Sequence, residues 1–139
     1  EFKDRLKEYN LTEEKPYSLI LNSDAVMTKA GTSTMECTLL GTPYLIFYKT
    51  IPLNYYLLKP IVKVDKLGIA NLLLGKDAIK EFVQNDFTAE NIAKELMMIL
   101  VGNKYKEKIT KDLKEVWEIL GSKEASVNAA KLIIQTAGI

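Results

Sequence analysis

Residues 25–48 hold the pattern that most restricts what this chain can fold into: an apolar run, one glycine, three small hydroxyl residues, a helical stretch, a Gly-Thr-Pro stop and a second apolar run. Residues 25–30 read as a short buried strand, Gly31 as a turn, and residues 34–40 as a helix ended by Gly41 and Pro43. Residues 44–48 (Tyr-Leu-Ile-Phe-Tyr) read as a strand with no polar face. A strand apolar on both faces belongs in a parallel sheet covered on either side. Strand, turn, helix and strand in so short a span make a compact βαβ unit.

The turn is also the first candidate site. Glycine permits close backbone approach, and the first N–H groups of a helix have no intrahelical partner. The helix dipole then favours an anion such as a phosphate or diphosphate. Gly31, Thr32, Ser33 and Thr34 are placed for that ligand; Glu36, read as lying in the first helical turn, is placed to accept two hydrogen bonds from a vicinal diol such as a ribose. Ser33-x-x-Glu36 equally fits a capping box, in which two side chains satisfy each other's backbone N–H groups and bind nothing.

Around this unit the periodicity predicts a surface helix over residues 1–10, a connection over 11–16, and either strand or helix over 17–22. Residues 53–58 read as a helix continuing to about Val64, kinked near Lys59 by Pro60. Residues 68–75 read as an apolar loop or short strand between two glycines, and 77–84 as a short helix. Three helices follow. Thr88 caps the first, whose apolar face is Ile92, Leu96, Ile99 and Leu100, with a stop at Gly102. Tyr105, Ile109, Leu113, Val116 and Leu120 stripe the second, which ends at Gly121. Ser122 caps the last, with Val127, Ala130, Ile134 and Ala137 facing inward.

Composition removes whole classes of chemistry. The 139 residues include no histidine and a single cysteine, Cys37, so a His-based triad, a His general base, an ordinary zinc site and an internal disulfide all fall away. Cys37 reads as a small buried helix residue. A net charge of +1 carries no basic field for nucleic acid. No apolar run reaches the ~20 residues that span a bilayer, and no signal peptide opens the chain, so the expectation is a cytoplasmic protein. Lys49, Lys59, Lys63 and Lys66, interleaved with Tyr48, Tyr55 and Tyr56, suit a solvated face, a cover over an anion, or peripheral contact at a membrane surface. Asn71 is a lone polar residue in an apolar run, and Gln84 ends a predicted helix; turn formation and a site role both fit them. No metal site and no cofactor is indicated.

Taken in order, Ser23-Asp24, residues 30–37 (Ala-Gly-Thr-Ser-Thr-Met-Glu-Cys), Gly41-Thr42-Pro43, Tyr48-Lys49, Pro52, Asn71-Leu72-Leu73, Gly75-Lys76 and Glu81-Phe82-Val83-Gln84 resemble the C-terminal half of the lipid-A-disaccharide synthases. These are inverting glycosyltransferases of the two-Rossmann-domain GT-B architecture. The resemblance implies an α/β fold: a partial Rossmann-like (GT-B C-terminal) domain with a short parallel sheet and a helical C-terminal tail. Residues 1–100 would form the truncated donor-binding domain and 101–139 the tail. It implies transfer of a diacylglucosamine from its UDP derivative to diacylglucosamine 1-phosphate, with release of UDP. Gly31, Thr32, Ser33 and Thr34 would meet the diphosphate, Glu36 the ribose, Asn71 the reacting centre, and Gln84 the donor site or an interface. Ala70 stands where the family usually has proline. The acceptor-binding domain and the general base have no counterpart here, which implies a chain inactive alone, with an exposed sheet edge inviting a homodimer. The rival expectation is a non-catalytic docking module in which residues 32–36 only cap a helix.

Overall fold

The computed structural model describes residues 15–53, 55, 66–121 and 125–138. In order these form α1 (Pro16–Leu21), β1 (Val26–Lys29), α2 (Thr32–Leu40), β2 (Tyr44–Tyr48), α3 (Ile69–Leu74), β3 (Glu81–Val83), a 3-10 turn (Gln84–Asp86), α4 (Ala89–Val101), α5 (Asn103–Leu120) and α6 (Ala125–Ala137). The strands make an open parallel sheet in the order β1-β2-β3. Val26 lies opposite Tyr44, and Ile46 opposite Glu81.

The apolar run of β2 is central, as its two-faced hydrophobicity requires. Tyr44 and Ile46 point to one face and meet Cys37 of α2, Ala70 of α3, and Ile109, Leu113 and Val116 of α5. Leu45 points to the other, where Phe82 and Ile92 close a smaller core with Leu96 and Phe87 at its rim. Phe87 stacks on Phe47 with ring centroids 4.8 Å apart. An open parallel sheet with helices on both faces, followed by helices, is a partial Rossmann-like α/β domain with a helical tail, as the sequence indicates.

Local chemistry explains most boundaries. Gly41 ends α2 in the left-handed region (φ 71°), where its N–H reaches back to the last turn. The Tyr44 hydroxyl, buried under the sheet, pairs with Thr38 Oγ1 at 2.8 Å, and Thr38 Oγ1 donates to the Thr34 carbonyl at 2.7 Å. Thr88 caps α4 as predicted, its hydroxyl accepting from Asn91 N at 3.2 Å. The Lys76 ammonium joins the buried Asp112 (2.8 Å) and Glu115 (3.0 Å), fastening the end of α3 to α5. Both carboxylates favour its charged form, raising its pKa.

Several expectations are corrected. Residues 69–74 are helical rather than loop or strand, because the Glu81 carboxylate accepts from Leu67 N (2.8 Å) and Gly68 N (2.9 Å) and so caps α3 from a distant strand. A Cβ at Gly68 would come within 2.4 Å of Ile46 Cδ1, so the end of that buried side chain would have to shift to admit one. Residues 77–84 are not a helix; pairing with β2 draws residues 81–83 into a strand. Residues 17–22 resolve to a helix over Pro16–Leu21. Leu100 and Leu120 are exposed, and so are all described residues of α6, whose predicted inward stripe (Val127, Ala130, Ile134, Ala137) is covered by nothing among the described residues. The predicted helix over residues 1–10, the kink near Lys59 and the Ser122 cap lie outside the described residues. No helix among the described residues is long and apolar enough to cross a membrane.

Candidate functional site

Parallel strands carry their ligands outside their carboxyl ends. Three segments of this sheet meet that edge: the Ala30-Gly31 turn after β1, Lys49-Thr50 after β2, and Gln84 after β3. The first two are tied by Ala30 N donating to the Phe47 carbonyl at 3.1 Å.

At the turn, Gly31 is the N-cap of α2 and makes no side-chain cap. Its backbone is extended (φ 162°), and a Cβ there would meet nothing within 4 Å. Neither packing nor strain therefore demands glycine; the open space lies on the solvent side, where an incoming ligand would be. The helix starts two residues earlier than predicted because Thr34 N turns back to the Gly31 carbonyl at 3.1 Å. The Thr34 hydroxyl donates to that carbonyl too, at 2.7 Å, and the residue is buried. Ser33 Oγ pairs with Thr28 Oγ1 at 2.6 Å, stapling the helix start to β1. Thr32 stays exposed, and no backbone acceptor is found for the N–H groups of Thr32 and Ser33 among the described residues. Unbonded amides at a helix start are groups able to receive an anion.

Glu36 is the fifth residue of α2, in its second turn rather than the first. The capping box accordingly does not form: Ser33 is not the N-cap, and Glu36 makes no hydrogen bond or ion pair among the described residues. It lies four positions after Thr32 and so shares its helix face. Lys29 and Lys49, exposed at the ends of β1 and β2, likewise have no ion-pair partner among the described residues. A diphosphate at the turn would meet two free amides and the positive end of the helix dipole.

Asn71 and Gln84 are engaged internally. Asn71 is buried; its Nδ2 donates to the Ile79 carbonyl (2.8 Å) and Glu81 Oε1 (2.7 Å), and its Oδ1 accepts from Ile79 N (2.8 Å). Gln84 pairs with the Thr50 backbone, accepting from Thr50 N at 2.7 Å and donating to Thr50 O at 3.1 Å. The structure thus brings Gly31, Thr32, Ser33 and Glu36 to one helix start, turns Thr34 inward, and sets Asn71 and Gln84 on β3 and its neighbours. Sequence reasoning gave Glu81 no role of its own; its only local signal is a carboxylate standing beside Phe82 and Val83 at a strand start. Asp24 pairs with Lys106 at 3.3 Å.

A cleft of about 530 Å³ lies elsewhere, between β3, α4 and α5, with Lys80, Asp86, Lys94, Glu95 and Tyr105 in its lining. Tyr105 donates to Glu95 Oε1 at 2.5 Å, and burial followed by that carboxylate pushes its phenol pKa up. The cleft's lining carries three carboxylates (Glu81, Asp86 and Glu95) against two ammonium groups (Lys80 and Lys94), a balance that suits an anion poorly.

Over residues 2–137 the sequence matches the family described as Lipid-A-disaccharide synthetase. The chain belongs to that family. Curated lipid-A-disaccharide synthases align with most of it: that of Geobacter sulfurreducens is 34% identical over 128 residues, 92% of this chain and 33% of the relative. The Geobacter metallireducens protein is 35% identical over 125 residues (90% and 33%), and that of Persephonella marina 32% over 117 residues (84% and 31%). This member of the lipid-A-disaccharide synthetase family therefore spans about a third of the length of these curated relatives.

Cys37 takes no part in the site. It is fully buried beside Tyr44, and burial, reinforced by the Glu36 charge, pushes its thiol up to about 11 from an ordinary 9.0. In the unfolded chain the thiol ionises from about pH 9, while in the folded chain it stays protonated. Its contribution to stability is therefore complete below pH 9 and lost as pH rises toward 11. The loss is about 2–3 kcal/mol. Urea titrations at pH 8 and pH 10.5 are expected to show the fall, and Cys37→Ala to remove most of it. An equal fall in the variant would assign the effect to other groups, Tyr44 first, whose phenol burial raises to about 12.

Proposed function

We propose that this chain is the donor-binding part of a lipid-A-disaccharide synthase. The intact protein would transfer 2,3-diacylglucosamine from its UDP derivative to 2,3-diacylglucosamine 1-phosphate in lipid A biosynthesis, releasing UDP. The observation that carries the reading is the Gly31 turn at the carboxyl edge of the sheet, with the Thr32 and Ser33 amides turned outward in a member of this family.

In a single displacement with inversion, the acceptor hydroxyl attacks the anomeric carbon opposite the leaving UDP. The base that takes its proton lies outside this chain. As the C–O bond to the diphosphate breaks, negative charge grows on the departing oxygens. The two amides, the α2 dipole, Lys29 and Lys49 stabilise that charge without a metal ion. Thr34, its hydroxyl turned back on Gly31, shapes the turn rather than donating to the ligand. Glu36, which has no hydrogen bond or ion pair among the described residues, accepts from the ribose hydroxyls. Asn71 contributes through the α3 turn that it holds together with Glu81. The lipid acceptor would be met by a domain absent from this chain, at the cytoplasmic side of the inner membrane.

Titration of the chain with UDP, followed by backbone amide NMR, tests the reading. Saturable shifts are expected on Gly31, Thr32, Ser33 and Glu36; a folded sample without them would sink the donor site in this chain. A second role in self-association is favoured by α6, whose Leu132, Ile133 and Ile134 are all more than half exposed. A helix of 13 residues is marginal alone in water. Sedimentation velocity should show a concentration-dependent dimer; a monomer throughout would dismiss that role.

A further inference from the structure

The carboxyl end of β2 is gripped by the short turn that follows β3. Tyr48 and Val83 are the last registered pair of those strands, and Gln84 opens the 3-10 turn directly after it. Its side-chain amide takes both backbone groups of Thr50: Oε1 accepts from Thr50 N at 2.7 Å, and Nε2 donates to Thr50 O at 3.1 Å. Phe87, whose N–H returns to the Gln84 carbonyl at 3.3 Å, lays its ring on Phe47 with the planes 12° apart. Gln84 makes its clasp at φ 52°, a backbone conformation that residues other than glycine seldom enter, and it alone among the described non-glycine residues does so. Such a conformation persists where its surroundings enforce it, and it collects at sites of function. The far side of β2 borders the Gly31 turn. Lys29 is registered with Phe47, so Gly31 and Lys49 each stand two residues past that pair, and Ala30 N donates to Phe47 O at 3.1 Å. The strand exits thus leave the sheet in the order Gly31, Lys49, Gln84, with the Lys49-Thr50 backbone in the middle.

We propose that Gln84 is a positioning residue for the donor site: its clasp on Thr50 fixes the exit of β2 beside the Gly31 turn before a nucleoside diphosphate binds. The inference rests on the donor-site reading above. Both polar ends of the Gln84 amide are engaged by Thr50, so the residue acts through that backbone rather than on the ligand. A segment already ordered loses less conformational freedom on binding, whereas an unclasped one must be ordered at the expense of affinity.

The test joins amide hydrogen exchange, read by NMR, to calorimetric titration of UDP, in the parent chain, Gln84→Gly, Gln84→Asn and Thr88→Ala. Glycine suits the positive φ and has no side-chain amide; asparagine tolerates that φ and carries its amide one methylene short of Thr50. In both variants exchange at the Thr50 amide is expected to quicken about tenfold, and UDP to bind about tenfold more weakly, with melting close to the parent's. Thr88→Ala removes the α4 cap and is expected to melt lower yet bind UDP like the parent, which separates positioning from plain loss of stability. Folded Gln84 variants that bind UDP like the parent overturn the proposal, even where Thr50 exchange quickens, because the clasp is then a structural contact alone. Unchanged exchange at Thr50 overturns it as well, as does an equal loss of UDP affinity in Thr88→Ala. Should Gln84→Asn not fold, Gln84→Gly decides the matter by the same two readouts. A parent chain that binds no UDP overturns the donor-site reading and this inference with it. A parent that binds, with Gln84 variants that bind equally well, overturns the inference alone.

Discussion

Asn71→Ala is expected to lower the folding free energy by about 3 kcal/mol. The alanine leaves the N–H and carbonyl of Ile79 without a partner inside the core and takes one of three donors from Glu81. Each buried polar group stranded in this way costs about 1–3 kcal/mol. Asn71→Asp is expected to be worse still, since an oxygen would then face Glu81 Oε1 and the Ile79 carbonyl. Its deficit should shrink as pH falls and the new carboxyl takes up a proton. Urea titration with an unchanged slope checks both, and a loss under 1 kcal/mol for Asn71→Ala would show that water replaces the amide.

Glu36→Ala has the second large effect, and it appears in binding rather than in folding. The carboxylate has no hydrogen bond or ion pair among the described residues, so its removal is expected to leave stability within about 0.5 kcal/mol. The donor-site reading makes it a charged acceptor for the ribose, and loss of such a partner weakens binding by about 1–3 kcal/mol. A calorimetric titration with UDP should therefore show affinity falling about fivefold or more in a protein that melts like the parent. An unchanged affinity would remove Glu36 from the site and leave the phosphate end to the turn alone.

What could be read in the sequence follows from how local each determinant is. The β2 strand announces itself, because Tyr44 to Phe47 are apolar on both faces and are bounded by Pro43 and Lys49. The Gly31 turn is equally plain, since its glycine and hydroxyls are contiguous. Its register was not: the spacing from Ser33 to Glu36 suits a cap, but the helix begins at Thr32, where the Gly31 carbonyl collects Thr34 N and Oγ1. Distant partners decide the remainder. Helix α3 is capped by a carboxylate thirteen residues on, and β3 is a strand because β2 offers it an edge. In α6 the periodicity tells which face is apolar, and periodicity carries no information about whether anything covers that face. Among the candidate residues, Gly31, Thr32, Ser33 and Glu36 form a contiguous motif, whereas the engagement of Asn71 and Gln84 depends on Ile79, Glu81 and Thr50, which no spacing rule connects.

The two faces of the sheet are unequal, and α4 touches both. Its Ile92 belongs to the small cluster with Leu45 and Phe82, while Ile99 sits in the larger core with Ile109 and Leu113. Opening the small face exposes few apolar groups, so it needs only a fraction of the global unfolding free energy. This chain would then breathe from one side. Amide protons in the first half of α4 would trade with solvent through a partial opening, while those near Ile99 wait for the whole domain to come apart.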